Sequence, residues 1–235
     1  MPDNVYSPPA SPAPRPSSSE SFEGSGTFSI GQCFSDGWNK TLANIGLILI
    51  AGLVSTLVMV LAGITIIGYF LVVPVMTWGM VRFALNLHDG CAQFGDIFSG
   101  FTNYGDKLLK SAALFLLLLA ISLPANAVYY LGALNHNTSM IVVGYVIMVV
   151  FGLVVMTRLY FAFVFMVDRN MGAQDSIKAS WNMTGPIWGP TVLLAFVSGL
   201  VSMAGVLALV VGLLVSIPVS YLMWISAYRQ AVGKP

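Results

Sequence analysis

Charged residues divide this chain into three long apolar blocks. No Asp, Glu, Lys or Arg occurs in residues 41–81, 111–157 or 179–228. A helix needs about 20 apolar residues to cross the hydrocarbon of a bilayer. Each block is therefore long enough for two spans and too long for one. Backbone polar groups cannot lie open in lipid, so each block reads as a helical hairpin. The predicted spans are 42–62, 65–85, 111–132, 141–163, 187–207 and 209–228. Gly63 and Gly68 flank the first turn, and the polar run Leu134-Asn135-His136-Asn137-Thr138-Ser139 marks the second. Gly205 or Gly212 marks the third. The fold class that follows is all-α: a polytopic membrane protein of six transmembrane helices arranged as three hairpins.

Short amphipathic stretches precede the hairpins. Ile30, Phe34, Trp38 and Leu42 recur every four residues, and Phe94, Ile97, Phe98 and Phe101 fall on one predicted face. Aromatic residues favour the headgroup level, and helices of this kind lie in the interface plane. Trp38, Phe101 and Trp181 are the candidate interfacial anchors. Each closes one shared pattern of apolar, two residues, small, aromatic: Phe34-x-x-Gly37-Trp38, Ile97-x-x-Gly100-Phe101 and Ile177-x-x-Ser180-Trp181.

The pattern is part of an internal repeat. Trp38-Asn39-Lys40-Thr41 recurs as Trp181-Asn182-Met183-Thr184, and at the same offset Gly46 matches Gly189 and Ser55 matches Ser198. With one inserted residue, Gly68 matches Gly212, Pro74 matches Pro218 and Val75 matches Val219. The predicted unit is an interfacial helix followed by a hairpin, in parallel copies about an axis along the membrane normal.

Composition supports the membrane reading. Hydrophobic residues make up 57% of the chain and charged residues 8%, against about 25% charged in soluble domains. The net charge of +1 provides no field to recruit nucleic acid. Three hairpins place all ten Lys and Arg on the side that carries both termini. The positive-inside rule makes that side cytoplasmic. The expected location is a cell (inner) membrane, multi-pass, with N- and C-termini cytoplasmic. Asn137-Thr138-Ser139 matches a glycosylation acceptor on the opposite side.

Residues 1–27 lack the basic and apolar regions of a signal peptide. Six of the twelve prolines lie in the first 16 residues, and such a segment buries too little apolar surface to order itself. The predicted organisation is a disordered Pro/Ser-rich cytoplasmic tail over 1–27, a six-helix transmembrane domain over 28–230 and a short cytoplasmic C-terminus over 231–235. Cys33 and Cys91 read as free thiols.

Ionisable groups are missing at mid-depth of the predicted spans, where they would mark proton or ion pathways. Arg82, Arg158 and Arg229 sit at the cytoplasmic ends of the even-numbered spans. They read either as a ring of basic groups at a cytoplasmic mouth, able to hold an anion or lipid phosphate, or as side chains snorkelling to the interface. Asp168-Arg169 reads as a solvated loop with possible partners in Asp175 and Lys178. His88, Asp89 and Cys91 do not form a convincing metal set. No catalytic, cofactor or metal-binding residues are assigned. Pro74, Pro124 and Pro218 kink helices or shape a cavity. Small residues such as Ser198, Gly199, Ser202 and Gly205 make the fifth span a close-packing surface, internal or between subunits.

One stretch carries a resemblance. Val167-Asp168-Arg169-Asn170, then Gly172-Ala173-Gln174-Asp175-Ser176-Ile177-Lys178-Ala179-Ser180-Trp181, resembles a segment of uncharacterised bacterial six-helix membrane proteins. That group includes the membrane domain attached to some glycerophosphodiester phosphodiesterases. The resemblance implies a membrane domain without the catalytic domain. The chain is expected to be no enzyme and to need no cofactor. It is expected to be a membrane scaffold or accessory subunit, meeting the lipid bilayer and a protein partner or further copies of itself. The alternative is a transporter or channel for a small apolar or zwitterionic solute.

Overall fold

The computed structural model describes residues 26–207 and 209–233. The tail expected over 1–27 lies outside the described residues as far as residue 25, as do the last two residues of the C-terminal segment. The described chain is 87% helical and holds no strand.

α1 (Ile30–Ala43) is followed by α2 (Ile45–Gly63) and α3 (Ile66–His88). A 3-10 helix over Phe94–Phe101 leads to α4 (Tyr104–Leu134) and α5 (Thr138–Phe151). A π-helical segment, Gly152–Met156, continues into α6 (Thr157–Leu159), and α7 (Ala162–Arg169) follows a turn. α8 (Ala173–Thr184), α9 (Trp188–Leu207) and α10 (Leu209–Val232) complete the chain.

Five helical stretches are long and apolar enough to cross a membrane: Ile45–Gly63, Ile66–His88, Tyr104–Pro124, Thr138–Arg169 and Trp188–Leu207. The described residues therefore have the make-up of a polytopic helical protein. Consecutive long helices pack as pairs, α2 on α3, α4 on α5 and α9 on α10. Caps sit where the polar residues lie. Thr65 accepts from the Gly68 amide at 3.0 Å and Asn137 from the Met140 amide at 3.1 Å, each satisfying a first-turn N–H of the following helix. Asn137 is thus a helix cap. α4 begins several residues before its apolar run, at Tyr104. The Asp106–Lys110 pair, 2.8 Å apart at i,i+4, extends the helix beyond the charge-free block.

The buried core lies towards the charged end of the bundle. It is built from α3, α7 and α10. Val75, Met76 and Leu85 of α3, Phe165 and Met166 of α7, and Met223, Ala227 and Tyr228 of α10 are all fully buried. Around this core sit the three short segments, α1, the 3-10 helix and α8. Each presses its small residue onto a helix from elsewhere in the chain. A Cβ on Gly37 would lie 2.8 Å from the Val219 carbonyl oxygen of α10. A Cβ on Gly100 would fall inside the contact radius of the Val75 carbonyl oxygen of α3, and one on Gly79 inside that of the Ile97 carbonyl oxygen. Ser180 of α8 donates to the Arg158 carbonyl of α6 at 2.6 Å. Thr184, one turn on, donates to the same carbonyl at 3.2 Å.

One predicted face is corrected. Ile97 does not share a surface with Phe94, Phe98 and Phe101; it is fully buried, while those three are exposed. The segment is a 3-10 helix, in which residues three apart are eclipsed. Ile97 therefore aligns with Gly100 against α3 and Phe98 with Phe101 on the outside, whereas Phe94, the first residue of the segment, is exposed although it stands three before Ile97. On α1 the expected stripe of Phe34, Trp38 and Leu42 is exposed, and Cys33, Gly37 and Thr41 on the other face are buried.

The backbone approach at Gly100 gives a direct test. Gly100→Leu must displace backbone, and overpacking of this kind costs about 1–3 kcal/mol. Thermal unfolding in detergent should show that loss. Gly95→Ala in the same segment, where an added Cβ meets nothing within 4 Å, should leave the melting temperature near that of the unmodified chain. Equal melting temperatures for the two variants would contradict this packing.

Candidate functional site

α10 ends in Ser226-Ala227-Tyr228-Arg229-Gln230, and the polar members of this run hold the charged end together. Arg229 is 4% exposed. Its guanidinium binds Asp89 in a two-pronged pair, Nε to Oδ1 at 3.0 Å with Nη2 on Oδ2. Nη1 donates to Asp168 Oδ1 at 3.1 Å, and the Tyr228 hydroxyl donates to Asp168 Oδ2 at 2.8 Å. The planar fork of arginine suits such bidentate contacts. Asp89 follows α3, Asp168 lies in the last turn of α7 and Arg229 in that of α10. One cation thus joins the ends of three helices.

A second layer ties α1 to this junction. Ser226 Oγ donates to Asp36 Oδ2 at 2.7 Å, and Gln230 Nε2 donates to Ser226 Oγ at 3.0 Å and to Cys33 Sγ at 3.5 Å. The Ser29 amide donates to Gln230 Oε1 at 2.9 Å. Lys40 Nζ donates to the His88 carbonyl at 2.6 Å, placing a cation at the C-terminal end of α3, where the helix dipole favours one. Burial holds the Lys40 ammonium below its usual value, opposed by Asp36 and Asp89. The His88 side chain is 7% exposed, with Nδ1 3.5 Å from Asp89 Oδ1 and Nε2 3.9 Å from Asp36 Oδ2. Neither ring nitrogen makes a hydrogen bond among the described residues. Burial pushes the Cys33 thiol up to about 11, so it stays protonated and inert at neutral pH. Cys91 is a free, exposed thiol. Among the described residues, no group of three or more His, Cys, Asp or Glu gathers as metal ligands.

Trp38, Phe101 and Trp181 are 44%, 37% and 41% exposed. Trp38 stacks on Phe34 and Phe101 on Tyr104. The Arg158 guanidinium lies 4.6 Å from the centre of the Trp181 ring, a cation–π distance. The three arginines occupy unlike settings. Arg82 is exposed, Arg158 is half-buried against Trp181, and Arg229 is sealed in the acid junction. Arg229 does not snorkel, because two carboxylates meet it inside. Asp168 is likewise no loop residue. It sits in α7, turned towards α10, and binds Arg229 and Tyr228 rather than Asp175 or Lys178.

A groove of about 420 Å³ opens between α6, α9 and α10. Thr157, Tyr160, Ser198, Ser202, Ser220, Tyr221 and Trp224 line it with Ala195, Gly199 and Ile217. Tyr160 stacks on Trp224 at 3.9 Å between ring centres. Sequence reasoning missed Asp36, Asp89, Ser226, Tyr228 and Gln230 as one network, and the groove with it. The available signal was that Asp89, Asp168 and Arg229 each stand just past an even-numbered apolar run.

These features describe a helical, multi-pass type of membrane protein with a charged junction at one end. No family model, no curated protein and no solved structure matches the chain.

Removing Arg229 would leave Asp168, whose side chain is 9% exposed, as a buried and unpaired charge. Arg229→Ala should therefore lower unfolding stability in detergent by about 3–5 kcal/mol. Arg82→Ala, at an exposed position, should change it by no more than about 0.5 kcal/mol. Similar small losses for both would show that the junction carries no stability.

Proposed function

We propose that the chain crosses the bilayer six times as three hairpin units, with both termini cytoplasmic, and serves as a non-catalytic membrane scaffold or accessory subunit. α10 supplies the sixth span, running free of charge from Leu209 to Tyr228. The hairpins are α2 with α3, α4 with α5 to α7, and α9 with α10. The loaded side is cytoplasmic by the distribution of Lys and Arg, and a cell (inner) membrane is the location that suits it. The stretch around Asp168 to Trp181 favours membership of the bacterial six-helix group that it resembles.

The observation that carries the reading is a contact made three times. Gly37, Gly100 and Ser180 hold equivalent places, each just before an exposed aromatic. They meet the carbonyls of Val219, Val75 and Arg158. Each short segment therefore packs on the second span of the unit before it, and α1 closes the circle on the last unit. The helix ladder is disturbed beside every contact. Pro74 precedes Val75, Pro218 precedes Val219, and the π-helical segment Gly152–Met156 precedes Arg158. Three equivalent units in a closed ring, locked by Arg229, favour a rigid platform. Trp38, Phe101 and Trp181 then sit at headgroup level on its cytoplasmic rim, available to lipid and to a protein partner.

Affinity purification of the tagged chain from its own membrane in mild detergent, followed by mass spectrometry, tests the scaffold reading. A stoichiometric partner is expected, and Trp38→Ala with Trp181→Ala should reduce its recovery several-fold. Solute-dependent flux in liposomes containing only this protein would favour the transporter or channel reading and overturn this one.

A further inference from the structure

We propose that the groove between α6, α9 and α10 binds a neutral acylglycerol drawn from the bilayer. The proposal goes beyond the scaffold reading and shares with it only the membrane crossing. The groove lies along the middle of α9, at Ala195 to Ser202, and reaches Thr157 and Tyr160 on either side of Arg158, so it runs from the depth of hydrocarbon toward the cytoplasmic end. Ile217 on its rim is 57% exposed, which leaves an apolar margin for acyl chains.

The hydrogen-bonding groups of the groove define the head group. The serine protons are engaged inside the protein. Ser198 Oγ donates to the Ala195 carbonyl, and the hydroxyls of Ser202 and Ser220 each lie 3.0 Å from the Ser198 carbonyl and 2.9 Å from one another. Trp224 Nε1 donates to Ser198 Oγ at 3.2 Å. These oxygens therefore offer lone pairs. The two tyrosines offer the reverse. Tyr160 and Tyr221 both line the groove, and among the described residues neither hydroxyl bonds to protein, a state shared by Tyr69, Tyr129, Tyr130 and Tyr145, which lie outside the groove, but not by Tyr104 and Tyr228. A phenol facing an apolar groove is costly without a partner, and Tyr221 of α10 stands in that position more fully than Tyr160, which is 40% exposed in the turn after α6.

The matching ligand carries carbonyls to accept from the phenols and a hydroxyl to donate to the serines. A glycerol with ester-linked chains and one free hydroxyl has both. No acid or base lines the groove, so a phosphate head group would enter without a counter-charge. The volume falls within the range of small-molecule sites, about 300–1,000 Å³. The π-helical segment Gly152–Met156 runs directly into Thr157 on the groove wall, and such bulges frequently accompany functional sites.

The test uses the full chain in phosphatidylcholine nanodiscs with a photoactivatable diacylglycerol at low mole fraction, read by mass spectrometry. Labelling is expected on the groove stretches of α9 and α10, competed by dioleoylglycerol but not by dioleoyl phosphatidic acid. Tyr221→Phe, which keeps the ring, should weaken competition about two- to tenfold, the value of one hydrogen bond. Ser202→Leu should abolish groove labelling by filling the site, and if it misfolds, Tyr221→Phe decides alone. Labelling spread over all apolar helices, equal competition by phosphatidic acid, or no effect of Tyr221→Phe overturns the groove proposal. A chain that fails to enter nanodiscs overturns the bilayer crossing, and with it the proposal, and is scored separately by co-purification.

Discussion

A buried guanidinium must be matched by charge and by geometry together, and the Arg229 junction meets both conditions at once. Taking Arg229 and Asp168 out of water is expensive, and attraction offsets that cost only when every partner, the half-exposed Asp89 included, is in place. Asp89 and Asp168 come from helices far apart in sequence. The junction therefore fixes the ends of α3, α7 and α10 relative to one another. The apolar core beneath it, with Phe165, Met223 and Tyr228 fully buried, excludes the water that would otherwise compete for these groups. Packing and electrostatics depend on each other here. The ion pairs need the dry core, and the core needs its helix ends held together.

The outer segments gain their places from this frame. α1 reaches the junction through Asp36, Ser226 and Gln230, and it approaches α10 closely at Gly37. The 3-10 helix lies on α3 by the same device at Gly100, and α8 on α6 through Ser180. In each case a small inward residue permits the approach and the adjoining aromatic faces out. The arrangement separates two roles within single short segments. One face builds the bundle, and the other leaves large amphipathic rings free for an interface. The groove beside α6 belongs to a different class of feature, since its serine hydroxyls and Tyr221 are supplied by the interiors of α9 and α10.

Much of the architecture is legible in the sequence because desolvation is a local penalty. Charges cannot enter hydrocarbon cheaply, so their spacing marks the long helices without reference to tertiary structure. The small-aromatic pattern is legible for a similar reason, since backbone contact excludes side chains at Gly37 and Gly100. Long-range pairing is not legible in this way. Arg229, Asp89 and Asp168 look like three ordinary helix-end charges until the chain is folded, and only then does Arg229 prove to be enclosed. Apolar periodicity does not distinguish a short 3-10 turn from an α-turn, so it sets Ile97 on one face with Phe98 and Phe101. The groove is not legible because hydroxyls in apolar helices ordinarily bond to their own backbone, as Ser202 does. What distinguishes Tyr160 and Tyr221 is that they line one groove together, which a sequence does not display.

The measurement closest to the central claim is a double-mutant cycle between Arg229→Met and Asp168→Asn, followed by unfolding in detergent at equilibrium. If Arg229 and Asp168 act as one buried pair, the double variant should be more stable than the sum of single losses requires, by about 1–3 kcal/mol. Strict additivity, within about 0.5 kcal/mol, would mean that the two side chains do not hold one another, and the junction would lose its place as the constraint on which the bundle rests.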